Sequence, residues 1–133
     1  RDTFTIDYAM RMQNVQVECT DALRIIQSRD SKESFIYCDP PYFNSDCGHY
    51  DGYTKVDFVM LLESLSNIEG KFLMSSYPSD VLKEYTDEKG WHTIKLEQSV
   101  SVANGTGKPG KKKIEVLTAN YDLKNPREDL ELF

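Results

Sequence analysis

Hydrophobic positions along the chain fall into short segments with two different periods. SFIYC (residues 34–38) is a continuous apolar run rich in aromatic and β-branched residues, which predicts a buried strand. NVQVEC (14–19) and WHTIKLEQSV (91–100) alternate and predict strands; KFLMSSY (71–77) and KIEVLTANY (113–121) predict two more. TDALRIIQS (20–28) predicts a helix with Thr20 or Asp21 near its N-cap. VDFVMLLESLSNI (56–68) sets Val56, Val59, Leu62 and Leu65 at helical spacing, with Gly70 as a stop. Pro78 suits the first turn of a further helix, through Val81, Leu82 and Tyr85 to about Gly90. Residues 1–13 show no firm period, 39–54 form a loop, and the tail 122–133 is loose or a short helix.

Strands and helices therefore alternate until the last two strands, which are joined without a helix. Alternation of this kind predicts an α/β fold with a mostly parallel sheet covered by helices. The final pair should form a terminal antiparallel hairpin. The sequence shows no internal repeat.

The 34–38 strand stops at Asp39, and Pro40, Pro41 and Tyr42 follow. In open α/β sheets ligands bind at the carboxyl ends of strands, so Asp39 is an acceptor aimed into a crevice. The prolines have fixed φ and no N–H, which stiffens the turn and leaves their carbonyls free to accept. Tyr42 adds a flat face. A rigid acceptor cluster beside an aromatic plate suits a planar ligand that donates from an amino group, such as a nucleobase.

Composition refines this picture. A chain of 133 residues suits one small domain or part of a larger one, and its first residue, Arg1, fits a fragment or processed product. No apolar run is long enough to span a membrane. The three cysteines, Cys19, Cys38 and Cys47, show no CxxC spacing, which favours free thiols in a reducing compartment. Cys38, Cys47 and His49, with Cys19, fit no common zinc spacing, and no metal is expected. Cys19, Cys38 and Trp91 suit the core.

The net charge of −6 speaks mildly against nucleic acid, but no acid lies between Glu97 and Glu115. Within that stretch GKPGKKK (107–113) carries Lys108, Lys111, Lys112 and Lys113. Such a loop can neutralise phosphates, or it can be a solvated loop.

DPPY after an apolar strand resembles the catalytic motif of amino-group DNA methyltransferases. FIYCDPPYF (35–43), FLMSSY (72–77) and SVSVANGTGKPGKKKIEVLTANY (99–121) are similar, in order and spacing, to the carboxyl-terminal half of the Dam-type (class alpha) adenine-N6 DNA methyltransferases. The similarity covers roughly residues 14–121. It implies a partial Rossmann-like methyltransferase sheet, with residues 1–13 a remnant of an upstream target-recognition region or linker and 122–133 a tail. It also implies a cytoplasmic protein of prokaryotic or phage origin.

The resemblance implies methyl transfer from S-adenosylmethionine to the exocyclic amino group of adenine in double-stranded DNA. That nitrogen is a poor nucleophile because its lone pair is delocalised. Asp39 would accept one N–H and the Pro40 carbonyl the other, in contacts that strengthen as the amine becomes cationic. Pro41 completes the rigid turn, and Tyr42 would stack on the flipped base. No nucleophilic cysteine is expected.

The resemblance places Asp21 and Ala22, with Asp39, at the cofactor; an acid at a helix N-cap is the alternative for Asp21. Ser75 and Ser76 line the pocket or simply end a strand. Asn104 and Lys108, Lys111, Lys112 and Lys113 would contact DNA. FNSDCGHYDGY (43–53) reads as an active-site lid or a surface loop.

The family's F-x-G-x-G turn and K-x-x-G-x-K-type segment do not occur upstream of DPPY. The chain thus reads as the part that carries the catalytic motif, with an exposed sheet edge open to self-association. Two rivals stand beside it: the same fold acting on cytosine, RNA or a protein glutamine, and a non-catalytic remnant or DNA-binding subunit.

Overall fold

In the computed structural model, residues 6–13, 21–43, 52–99 and 112–124 are described. The first helix, α1 (Ile6–Met12), falls where the sequence shows no period. Its Ile6, Tyr8 and Met10 are all exposed, so its described side chains form no buried stripe to create one. The strand expected at 14–19 lies outside the described residues.

Helix α2 (Ala22–Arg29) starts at Asp21, whose Oδ1 accepts from the backbone N–H groups of Leu23 (3.0 Å) and Arg24 (3.3 Å). The cap satisfies two donors that the first turn leaves unpaired. The helix ends at Asp30, which ties it to the sheet. The Asp30 carboxylate accepts from the N–H groups of Glu69 (2.8 Å) and Gly70 (3.0 Å), at the entrance to β2 (Lys71–Ser76).

These bonds, that to Glu69 foremost, hold the Asp30 carboxyl below its ordinary 3.8. A depressed native value means the clasp stabilises the fold at pH above 3.8 and is lost as pH falls through the native value. Asp30→Asn is expected to lower the unfolding midpoint at neutral pH, with the gap to wild type closing in acid. A gap that stays constant from neutral pH into acid would show that the clasp does not titrate.

Strand β1 (Phe35–Cys38) runs parallel to β2, in register from Phe35↔Lys71 to Cys38↔Met74. The expectation of a buried strand holds only at its end. Cys38 is buried, whereas Phe35 and Tyr37 are 57% and 59% exposed. Among the described residues β1 is an edge strand with β2 as its neighbour, so alternate side chains have no layer above them.

Helix α3 (Lys55–Ser66) connects β1 to β2 and opens with a reciprocal cap between Thr54 and Asp57. Its buried stripe is Phe58, Leu61, Leu62 and Leu65. Val56, expected on that stripe, is 67% exposed, because it occupies the first turn on the solvent side. Gly70 is not the helix stop either. Asn67 caps the helix, and Gly70 lies beyond it, where a Cβ would fall on Ser34 Oγ and 2.6 Å from the Ser34 carbonyl oxygen. Glycine is required there for the close approach of two backbones.

Pro78 precedes the next helix rather than forming its first turn. Ser79 is the N-cap of α4 (Asp80–Lys89), accepting from the Leu82 N–H at 3.2 Å, and Gly90 closes the helix in the left-handed region.

The last strands, β3 (His92–Ser99) and β4 (Lys112–Ala119), are antiparallel, as expected. The sheet order is β1-β2-β4-β3. The returning strand β4 docks antiparallel on β2, so only the β1–β2 pairing is parallel among those described. The sheet is therefore mixed rather than mostly parallel, although β1, β2 and β3 share one direction. The Asn120 side chain secures this insertion. It accepts from the Phe72 N–H (2.9 Å) and donates to the Gly70 carbonyl (2.9 Å), completing the ladder where β2 begins.

Strand alternation sends Phe72, Met74 and Ser76 toward the helices and Leu73, Ser75 and Tyr77 to the opposite face. Phe72 and Met74 are fully buried in one core with Leu62, Leu65 and Leu82. Trp91 joins it, edge-on to Phe72 with ring centres 4.9 Å apart. No helix among the described residues is long and apolar enough to cross a membrane.

Candidate active site

Asp39, Pro40 and Pro41 leave β1 at its carboxyl end and border a cavity of about 760 Å³. Asp21 and Ala22, at the start of α2, border the same cavity. The residues expected to hold a cofactor are thus brought together with the expected acceptors, because α2 starts beside the end of β1. The helix-cap alternative for Asp21 is the one observed, through Oδ1, and the residue also lines the cavity.

The cavity wall is apolar, from Ile36, Met60 and Leu61, with Asp21, Asp39 and Asp57 as its ionisable acids. Among the described residues no lysine or arginine lines it. Burial pushes the Cys38 thiol up to about 11, and burial, then Asp57 and Cys38, pushes the Tyr53 phenol up to about 12. Burial thus favours the neutral form of both groups at physiological pH. The site is an apolar cleft with negative charge and stiff carbonyls at its rim. It suits a cationic or amine-bearing ligand of moderate size.

Tyr42 does not line this cavity. It turns toward the end of β2, where its hydroxyl lies 3.2 Å from Ser75 Oγ and its ring centre 4.2 Å from that of Tyr77. Partial burial, the largest cause, raises its phenol above the ordinary value. Lys113 reaches the same group, with Nζ 5.1 Å from the Tyr77 ring centre and 5.8 Å from that of Tyr42. Its amine also pairs with Glu115 Oε1 at 3.2 Å. Ser75 is buried against Tyr42, and Ser76 is buried on the helix side, its hydroxyl without a hydrogen-bond partner among the described residues.

Tyr77 and Tyr53 are functional candidates that the sequence reading passes over. Tyr77 had a usable signal. It lies two residues after Ser75, on the same side of a strand that neighbours DPPY. Asn104, Lys108, Lys111, Cys19, Cys47 and His49, with most of the 43–53 loop, lie outside the described residues, as does the Lys112 side chain. Among the described residues no group of His, Cys, Asp and Glu could hold a metal ion.

The model of the D12 class N6 adenine-specific DNA methyltransferases matches residues 4–100. The chain belongs to this family. The match includes the DPPY turn, the start of α2 and Tyr77, and ends before the lysine loop and β4. Among curated relatives, DNA adenine methylases of Salmonella typhi and of Salmonella typhimurium strain LT2 are each 26% identical to this chain. Each alignment covers 86% of the chain and 42% of the relative. This D12-class chain therefore spans less than half the length of the curated relatives it matches. No solved structure matches it.

Proposed function

We propose that this chain is the catalytic portion of an enzyme that methylates the exocyclic amino group of adenine in double-stranded DNA, with S-adenosylmethionine as donor. The observation that carries the reading is the cavity where Asp39, Pro40 and Pro41 meet Asp21 and Ala22, with no cationic side chain among the described residues of its wall. S-adenosylmethionine is a cation with an amino group and a flat base, and a cleft of about 760 Å³ has room for it. When bound, it supplies an electrophilic methyl group.

The chain's own residues prepare the nucleophile. Asp39 and the Pro40 carbonyl accept the two N–H groups of the adenine amine, which draws its lone pair out of the ring. Their carbonyl and carboxylate dipoles are fixed before reaction by the two prolines, so little reorganisation is needed as positive charge grows on nitrogen. Asp21 and Ala22 border the adenosine end of the cofactor, and Pro41 holds the turn rigid. Tyr42 offers its ring to the base once it leaves the duplex. The fold that supports this is a Rossmann-like methyltransferase sheet of which these strands are one part. Among the described residues the outer edge of β1 has no partner strand, and with exposed Phe35 and Tyr37 it offers a pairing edge to a second copy.

Asn104, Lys108, Lys111 and Lys112 supply the DNA contact. Replacing Lys108, Lys111 and Lys112 by Ala is expected to weaken DNA binding and to flatten its salt dependence by about one in slope per lysine. An unchanged slope would remove the loop from the phosphate contacts.

The direct test incubates the full-length gene product with duplex DNA and methyl-labelled cofactor, then separates the nucleosides. Label in N6-methyl-2′-deoxyadenosine is the expected result. Label in cytosine, or none in DNA, overturns the reading.

A further inference from the structure

We propose that Lys113 acts as a positioning residue for Tyr42, holding the aromatic plate at the end of DPPY in the attitude on which a flipped base stacks; this rests on the methyl-transfer reading above. The lysine belongs in sequence to a basic run that suggests phosphate contact. Its surroundings are those of a clamp.

The geometry follows from register. β4 passes the end of β2, with Val116 opposite Ser76 as the last paired residues. Glu115 and Lys113 therefore continue beyond β2, on the same sheet face as Ser75 and Tyr77. There Lys113 Nζ lies over both rings, 5.1 Å from Tyr77 and 5.8 Å from Tyr42, and 3.2 Å from Glu115 Oε1. Both distances are within reach of a cation–π attraction. The Tyr77 hydroxyl and then the Glu115 carboxylate hold the amine protonated, above its ordinary range.

Two consequences separate this arrangement from a phosphate contact. First, Glu115 compensates the charge of Lys113 locally, so the lysine contributes little counterion release when DNA binds. Second, Tyr42 lies in a turn outside any helix or strand, and its ring is set by Tyr77, by Ser75 and by this cation. Removing the cation frees the plate to change its tilt. A misplaced stacking partner affects the chemical step more than the encounter with DNA.

The test compares Lys113→Met, which keeps the stem, with Tyr77→Phe, which removes only the hydroxyl, in the full-length gene product. Single-turnover methylation at saturating DNA and cofactor is expected to fall on the order of tenfold in Lys113→Met and less in Tyr77→Phe. KM for DNA and the slope of log Kd against log salt should stay at wild-type values, and Lys113→Arg should recover part of the rate. If Lys113→Met does not fold, Tyr77→Phe with an unchanged salt slope carries the test. A wild-type single-turnover rate with a slope reduced by about one would make Lys113 a phosphate contact and overturn the proposal. Absence of methyl transfer by the wild-type protein is a different failure, since it removes the proposed function itself and this role with it.

Discussion

Asp39→Ala is expected to reduce methyl transfer by at least the 10²- to 10³-fold typical of losing one aligned polar group at a charged transition state. The substitution removes the acceptor proposed for one of the two amine N–H groups. Pro40 retains its carbonyl, so the remaining activity measures what one acceptor can do alone. Cofactor affinity should fall less, because Asp21, Ala22 and the apolar wall of the cavity stay in place. Asp39→Asn separates charge from shape, since it keeps an acceptor oxygen while losing the negative charge. Nucleoside analysis reports the transfer, and calorimetric titration with the cofactor reports the binding. Full activity of Asp39→Ala would sink the proposed mechanism, whatever happens to affinity.

Phe72→Ala should be the most damaging core substitution, at about 3–5 kcal/mol. Phe72 is fully buried at the start of the central parallel strand and meets the Trp91 ring at 4.9 Å in an edge-on contact. Truncation leaves a cavity between the sheet and Trp91, which rigid neighbours on α3 and α4 cannot close. A small domain has roughly 5–15 kcal/mol of total stability, so the variant should be partly unfolded at moderate temperature. The effect reaches the site through β2, whose far end carries Ser75 and leads into Tyr77. Urea unfolding of the chain checks the magnitude; a loss under about 1 kcal/mol would mean that the core collapses around the gap. Phe72→Leu should cost much less, because most of the volume remains.

Most elements were legible because their signals are local. The cap at Asp21, the apolar stripe entering Leu62 and Leu65, and the alternation of β3 each depend on neighbours a few residues apart. The readings that failed concern long-range contacts. Gly70 reads as a helix stop because a glycine after an apolar helix usually is one. Its real constraint comes from Ser34, a residue far away in sequence. Val56 fits a helical spacing, yet the spacing cannot say which side of the first turn meets the sheet.

The candidate site divides in the same way. DPPY was readable as a candidate site, since an acid, two prolines and an aromatic after an apolar strand have few structural purposes together. That Asp21 and Ala22 join Asp39 at one cavity depends on the packing of α2 against the end of β1. The association of Tyr42 with Tyr77, Ser75 and Lys113 depends on β4 being inserted beside β2.

By itself the sequence determined most of the described elements after α1, their order and the DPPY motif, because propensity, capping and period act within one turn or one strand pair. The tertiary structure alone decided the sheet order of the described strands, the exposure of Phe35 and Tyr37 and the company Tyr42 and Lys113 keep. Those depend on which strand pairs with which, and pairing is settled by backbone hydrogen bonds and burial between segments that no local pattern connects.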